Sequence, residues 1–371
     1  MFGKRGAVIM FRPFRALLFA GIAVLATTGS ASSSPHADIV DAIAINAPAI
    51  DGTLSVMTYN IKGLPWPIAL GRETALASIA DRLASLRRNG RQPHIILLQE
   101  AFTPEAARIA ARAGYAHVAA GPDASFRTSI APDRDDIAYL ADARWDRGEG
   151  VDKQLGSGLL ILSDYPITRV DRMAFPDFAC AGFDCLANKG ILIAHLQVPG
   201  AGQVSVVNTH LNARKAAGVP IDRSQRAFSR QVELLAHFVA AHAPAEQAMI
   251  LGGDMNIGKD ARRASAFFPR FAQARLAFVN PHLGGARRAL AQEACPDADT
   301  CHDLTVASEE AKDWLFARDA RHAPMPITAA HVPFGTERTA TPLSDHFGYV
   351  INYTSAAHPP VRFASADGAV R

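Results

Sequence analysis

Ala248-Met-Ile-Leu-Gly-Gly-Asp254-Met255-Asn256 is a short apolar run that stops on a glycine pair, an aspartate and an asparagine. The same pattern occurs three times upstream. Leu54-Ser-Val-Met-Thr-Tyr ends in Asn60, Ile95-Ile-Leu-Leu-Gln in Glu100, and Val204-Ser-Val-Val-Asn-Thr in His210. Brief runs rich in Val, Ile and Leu, closed by Gly, Pro or Asn, read as buried strands. Strands of one layered fold bring their ends to a common edge, so these four ends would gather an amide, two carboxylates and an imidazole around one cleft. A fifth element, Ser344-Asp345-His346, precedes the last apolar run.

The rest of the chain repeats this alternation. Strands are expected over 54–60, 94–99, 158–162, 190–198, 204–209, 248–253, 313–317 and 347–353, and helices over 72–88, 104–113 and 223–242. Strands mixed with helices imply an α/β layered fold in one domain, placed at 53–356. Residues 121–152, rich in Asp and Arg, read as long loops. Residues 259–288 carry seven Lys/Arg against one acid, interleaved with Phe267, Phe268, Phe271 and Phe278. That mixture suits a lipid surface or a nucleic-acid strand. The plainer reading, which we favour, is a helix that buries its phenylalanines and solvates its arginines.

Composition sets the outer limits. The chain has 371 residues, 49% hydrophobic and 20% charged, an ordinary globular mixture that excludes disorder, collagen and coiled coil as the main architecture. Only the N-terminal apolar run approaches membrane length. Lys4, Arg5, Arg12 and Arg15, an apolar stretch over 16–26, and small residues at Gly29 and Ala31 read as a cleavable signal peptide over 1–31. A flexible leader over 32–52 and a tail over 357–371 flank the domain. A secreted or periplasmic location is expected. Removing the four cations of 1–31 takes the net charge from +3 to −1, which disfavours nucleic acid as a partner. The four cysteines fall in two close pairs, Cys180 with Cys185 and Cys295 with Cys301, which in an oxidising compartment suggests two local disulfides.

Each strand-end residue also has a bland interpretation: Glu100 before a helix start, Asp254 and Asn256 as turn formers, Asn60 as a cap, His210 as a core histidine, Asp345 in a turn. Recurrence at five places argues for chemistry. A hard cation such as Mg²⁺, or another divalent ion, accepts one or two carboxylates while keeping waters and substrate oxygens. A histidine paired with a carboxylate can activate water for in-line attack, and neutral donors can hold the transition-state oxygens. The set suits phosphate-ester hydrolysis. No nucleophile-elbow, Walker or dinucleotide pattern is present.

The motifs Thr58-Tyr59-Asn60, Gln99-Glu100, Asn208-Thr209-His210, Gly253-Asp254-Met255-Asn256 and Ser344-Asp345-His346 resemble, in order and spacing, those of the endonuclease/exonuclease/phosphatase superfamily over about 54–353. The resemblance implies a four-layered α/β sandwich with two central β-sheets packed face to face. It implies Glu100 as main metal ligand with Asn60 and Asp345 nearby, and His346 as general base oriented by Asp313. His210, Asp254 and Asn256 would bind phosphate and shape the attacking water. The blocks at 99–102, 157–167, 184–196 and 209–213 further resemble the neutral sphingomyelinase branch, where Lys189 of the Lys-Gly pair would meet a phosphate or, alternatively, serve only as a turn lysine. No apolar hairpin for membrane insertion is evident. The missing tryptophan before Gly253 argues against an inositol polyphosphate phosphatase.

The leading expectation is an exported Mg²⁺-dependent phosphodiesterase of sphingomyelinase/phospholipase C type, a monomer acting on a phosphate ester, with a phospholipid at a membrane surface as candidate. A secreted nuclease or a phosphomonoesterase using the same site is the alternative. A catalytically silent binding module is the third reading; it would be expected to lack Glu100, Asp254 or His346, and all three are present.

Overall fold

A computed structural model describes residues 53–337 and 341–354. The expected signal, leader and tail, and the domain's last two residues, lie outside the described residues. In chain order the elements are β1 (Thr53–Gly63), α1 (Arg72–Arg88), β2 (Ile95–Ala101), α2 (Pro104–Ala107), α3 (Ile109–Ala113), β3 (His117–Ala120), α4 (Arg134–Ala141), β4 (Leu160–Ser163), β5 (Ile167–Ala174), β6 (Gly190–Val198), β7 (Gly202–His210), α5 (Ile221–His242), β8 (Ala248–Asp254), α6 (Ala261–Gln273), α7 (Gly285–Ala291), α8 (Ala298–Glu310), β9 (Asp313–Arg318), β10 (Ile327–Phe334) and β11 (Gly348–Thr354).

The strands form two sheets, ordered β10-β11-β1-β2-β4-β3 and β5-β6-β7-β8-β9. Side chains alternate across a strand with period two, and here both faces are apolar. Leu54, Val56, Ile95, Leu97 and Ile161 of the first sheet meet Leu192, Val204, Val206, Ile250 and Leu315 of the second. The opposite parity of the first sheet (Met57, Tyr59, Ile96, Leu98) packs on Leu76, Ile79 and Leu83 of α1 and Ile109 of α3. That of the second (Ile191, Ile193, Val207, Met249, Leu251) packs on α5 and α6. The result is the four-layered α/β sandwich: helices, sheet, sheet, helices. Among the described residues no helix is long and apolar enough to cross a membrane.

The interface between the sheets is also stitched by polar groups. Asn208 on β7 donates to the carbonyls of Leu98 and Leu160, both at 2.9 Å, and accepts from Gln99 at 2.8 Å. An unmade buried hydrogen bond costs about 1–3 kcal/mol, more than a made one returns. Correct docking of the sheets is therefore favoured over a slipped one.

All eight expected strands are present. Three strands went unread, β3, β5 and β10, and each lies at a sheet edge. β5 carries Arg169, Asp171 and Arg172, so its apolar signal is diluted. One loop assignment is corrected. Residues 121–152 contain α4, started by a capping box between Asp133 and Asp136. The 259–288 segment forms α6 and part of α7. Phe267 and Phe271 are fully buried, as the plainer reading holds, but Arg263 is buried too, its guanidinium 4.4 Å from the Phe228 ring. Both disulfides, Cys180–Cys185 and Cys295–Cys301, are local, with Cα separations of 5.3 and 5.5 Å.

Candidate active site

Parity explains which residues reach the cleft. Continue the inward-facing series of each strand by one step: 54, 56, 58 leads to Asn60; 204, 206, 208 to His210; 250, 252 to Asp254. The first inward residue of β9 is Asp313, paired in register with Asp254. His346 sits just before β11, which runs antiparallel to β1 and pairs Thr58 with Tyr349. All five therefore gather at one end of the sandwich.

Glu100 has the wrong parity and arrives differently. The β1–β2 register shifts between Asn60 and Gly63. At that bulge both Lys62 (φ 50°) and Glu100 (φ 55°) take the left-handed conformation, which re-aims the carboxylate. Gly63 makes this fit, because a Cβ there would lie 2.5 Å from the Glu100 carbonyl. Asn256 is also left-handed (φ 49°). Backbone strain of this kind costs about 1–3 kcal/mol and persists where the surroundings over-determine it.

The side chains interlock. Asn60 Nδ2 donates to Glu100 Oε1 at 2.9 Å and to Asp254 Oδ2 at 3.1 Å, while its Oδ1 accepts from the Lys62 N–H. Ser344 donates to the Asn60 carbonyl at 2.7 Å. His346 Nδ1 lies 2.7 Å from Asp313 Oδ2, and its Nε2 turns toward Asp254 Oδ2 at 3.8 Å. His210 Nε2 is 3.3 Å from Asp254 Oδ2. Asp254 Oδ1 accepts from the Asn256 N–H at 3.0 Å.

Of the residues expected at a metal, Glu100 offers a carboxylate whose second oxygen bonds to no described residue and which faces the cleft. That donor fits a hard cation retaining most of its waters. Asn60 presents its NH₂ rather than its oxygen to the carboxylates. Asp345 is paired with Lys62 at 3.1 Å, and its side chain is 61% exposed. Ligand atoms of Asp254, Asp313 and His346 lie within 4.8 Å of one another. Because Asp313 is committed to the imidazole, that group fits proton handling better than a hard ion. Lys189 is buried and spends its ammonium on Asp184 (2.8 Å), His210 and the Leu211 carbonyl.

Electrostatics follow from burial. Burial pushes the Asp254 pKa up to about 6, opposed by His346 and aided by Asp313. Burial resists a charge on His346, but Asp313 and Asp254 outweigh it and push its pKa up to about 10. Burial, with Lys189 and His346, holds His210 well below the usual imidazole range, so it is neutral. A sign follows for stability. The folded pKa of His346 exceeds its ordinary 6.5, so its contribution is complete below pH 6.5 and is lost as pH rises through about 10. The Asp254 window closes near pH 6, outside that range. Urea unfolding with EDTA is expected to show stability falling between pH 6.5 and 10 in the wild type. The slope should be absent in His346→Gln, and an equal slope in both proteins would contradict the assignment.

Several residues escaped the sequence reading. Arg263 donates at 2.7 Å to the carbonyls of Asn256 and Asn212, fixing the loop after β8. Asp184, Lys62 and Lys312 line the cleft, about 760 Å³ in volume. So do Leu64, Ile68, Phe102 and Phe183. Beside them Trp66 (79%), Ile68 (64%) and Leu70 (78%) are exposed. The signal was available: 64–70 is apolar yet carries Pro65 and Pro67, which excludes an interior strand.

The family model described as Endonuclease/Exonuclease/phosphatase family matches residues 57–346. A curated Sphingomyelinase of Mycobacterium tuberculosis (strain ATCC 25618 / H37Rv) is 24% identical over 315 residues, 82% of this chain and 53% of that protein. A Sphingomyelinase of Mycobacterium bovis matches equally. The chain thus spans about half the length of the curated relatives it matches. Among solved structures, a Staphylococcus aureus beta toxin mutant with bound magnesium ions has a TM-score of 0.53 at 16% identity, covering 81% of this chain and 99% of that one. Sphingomyelinase C from Streptomyces griseocarneus has a TM-score of 0.51 at 21% identity, with the same coverage. These two likenesses show the fold.

Proposed function

The chain belongs to the endonuclease/exonuclease/phosphatase family, and from that premise we propose that it is an exported, Mg²⁺-dependent phosphodiesterase acting on phospholipid at a membrane surface. The observation that carries the lipid reading is the cleft itself. Its polar floor, Glu100, Asp254, Asn256, His210 and His346, is walled by Leu64, Ile68, Phe102 and Phe183. The exposed Trp66, Ile68 and Leu70 continue that wall outward. This apolar wall offers a lipid a favourable surface.

A divalent cation at Glu100 would polarise the phosphoryl oxygens and offset charge on the leaving oxygen. Asn60 holds Glu100 and Asp254 in fixed relation. Asp313 orients His346 so that Nε2 faces Asp254 and the cleft. His346 takes the attacking water's proton once positive charge in the cleft offsets Asp254 and Asp313, since those carboxylates alone keep it protonated. Neutral His210 and Asn256 sit where they can hold phosphoryl oxygens. Parallel assays of the mature protein with Mg²⁺ on sphingomyelin and other phospholipid vesicles, DNA, RNA and soluble phosphomonoesters test this. Phospholipid turnover is expected to dominate. Preference for DNA or RNA would establish the nuclease reading, and preference for monoesters a phosphatase.

A further inference from the structure

Alongside the catalytic cleft runs a second groove of about 700 Å³, formed by the turn after β7 and the stretch from Asn256 to Arg262. The two share Ala213, Ala216, Asn256 and Lys312, so they are continuous. Its charged lining is Arg214, Lys215, Lys259, Arg262 and Lys312 against one carboxylate, Asp260.

Not all of that charge is free. Asp260 pairs with Arg214 and, more distantly, with Arg262; Asp222 takes Arg262 as well, and Glu310 takes Lys312. Lys215 and Lys259 are exposed and make no side-chain hydrogen bond or ion pair with any described residue. They stand on separate segments that the fold brings to one groove. Arg263 fastens both segments, donating to Asn212 before one and to Asn256 before the other. Two uncompensated ammonium groups beside a phosphate-ester site favour a second anion and repel a cation.

We propose that this groove is a second anion subsite, and that it binds a further phosphate carried by the headgroup of the phospholipid whose ester is cleaved at Glu100 and His346. This rests on the phospholipid phosphodiesterase reading and narrows it. The favoured headgroup is anionic, and a choline headgroup has nothing to place there except a positive charge. The 259–288 segment thereby contributes its buried phenylalanines to the core and its first cations to the groove.

The test compares the wild type with the double variant Lys215→Ala, Lys259→Ala, both exposed sites whose loss leaves the core intact. With Mg²⁺, the wild type is expected to have a lower KM for cardiolipin, whose glycerol headgroup bears a second phosphate, than for sphingomyelin in matched vesicles. The variant should raise the cardiolipin KM about tenfold, leave its kcat unchanged, and hold sphingomyelin turnover within about twofold. Equal kinetics of the two proteins on cardiolipin overturn the proposal. So does a selective loss for a DNA oligonucleotide, which would assign the groove to nucleic acid. A second arm titrates both proteins with glycerol bisphosphate in EDTA, where no turnover occurs. Weaker binding by the variant supports the subsite, and equal binding overturns it. A loss confined to the soluble bisphosphate, with cardiolipin KM unchanged, overturns the lipid-borne source. If the wild type turns over neither lipid, the phosphodiesterase reading fails and the titration alone decides whether the groove binds anions.

Discussion

Glu100→Gln is expected to abolish Mg²⁺-supported turnover, by about 10³-fold or more in kcat/KM, while the protein stays folded. Glutamine keeps the oxygen that accepts from Asn60 Nδ2 and removes the negative charge that a hard cation requires. Several kcal/mol of transition-state charge stabilisation would depend on that cation, and each tenfold in rate is about 1.4 kcal/mol. Glu100→Gly sharpens the test. Residue 100 sits at φ 55°, where glycine is at ease, so relief of strain works against the lost side-chain bond. Stability should change by no more than about 1 kcal/mol, with activity absent. Turnover and Mg²⁺ response like those of the wild type in either variant would show that the cation binds elsewhere, for example among Asp254, Asp313 and His346.

His346→Ala is expected to lower kcat by about 10²–10⁴ and to flatten the limb of the pH–rate profile along which the wild-type rate rises as His346 sheds its proton. The geometry asks this of His346 rather than His210. His346 has one nitrogen held by Asp313 at 2.7 Å and the other free to face the cleft. His210 is buried against Lys189 and Asp254, with its pKa driven down, so it stays neutral across the working range. Asp313→Asn should move the same limb to lower pH and cost less in kcat, because the imidazole keeps its place but loses a charge that raises its pKa. A variant lacking His346 with an unchanged profile would pass the proton-accepting role to Asp254.

The strand ends were legible because alternation is a local property. A residue an even number of steps beyond a buried apolar one shares its face, and Asn60, His210 and Asp254 each stand four steps beyond one, Val56, Val206 and Ile250. Glu100 was found as the end of an apolar run, but the reason it reaches the cleft was not visible, since a bulge depends on how two strands pair. The same limit applies to Asn60. Its residue type suits a metal ligand, and only the Lys62 N–H on its oxygen shows which way the amide faces. β5, α7 and α8 were obscured by charge that one face solvates, whereas the unread edge strands β3 and β10 carry no Asp, Glu, Lys or Arg. Arg263 is the hardest case, because nothing local distinguishes a buried arginine from its solvated neighbour Arg262.

The stitch between the sheets has a temporal consequence. Asn60 and Glu100 belong to one sheet, His210 and Asp254 to the other, and Asn208 locks the two together through Leu98 and Leu160. Neither half contains the chemistry alone. A chain refolding from denaturant should regain its secondary structure well before any hydrolysis, and activity should return only with the final docking event. On the phosphodiesterase reading, an unfinished or transiently opened molecule would thus be harmless to the phosphate esters around it.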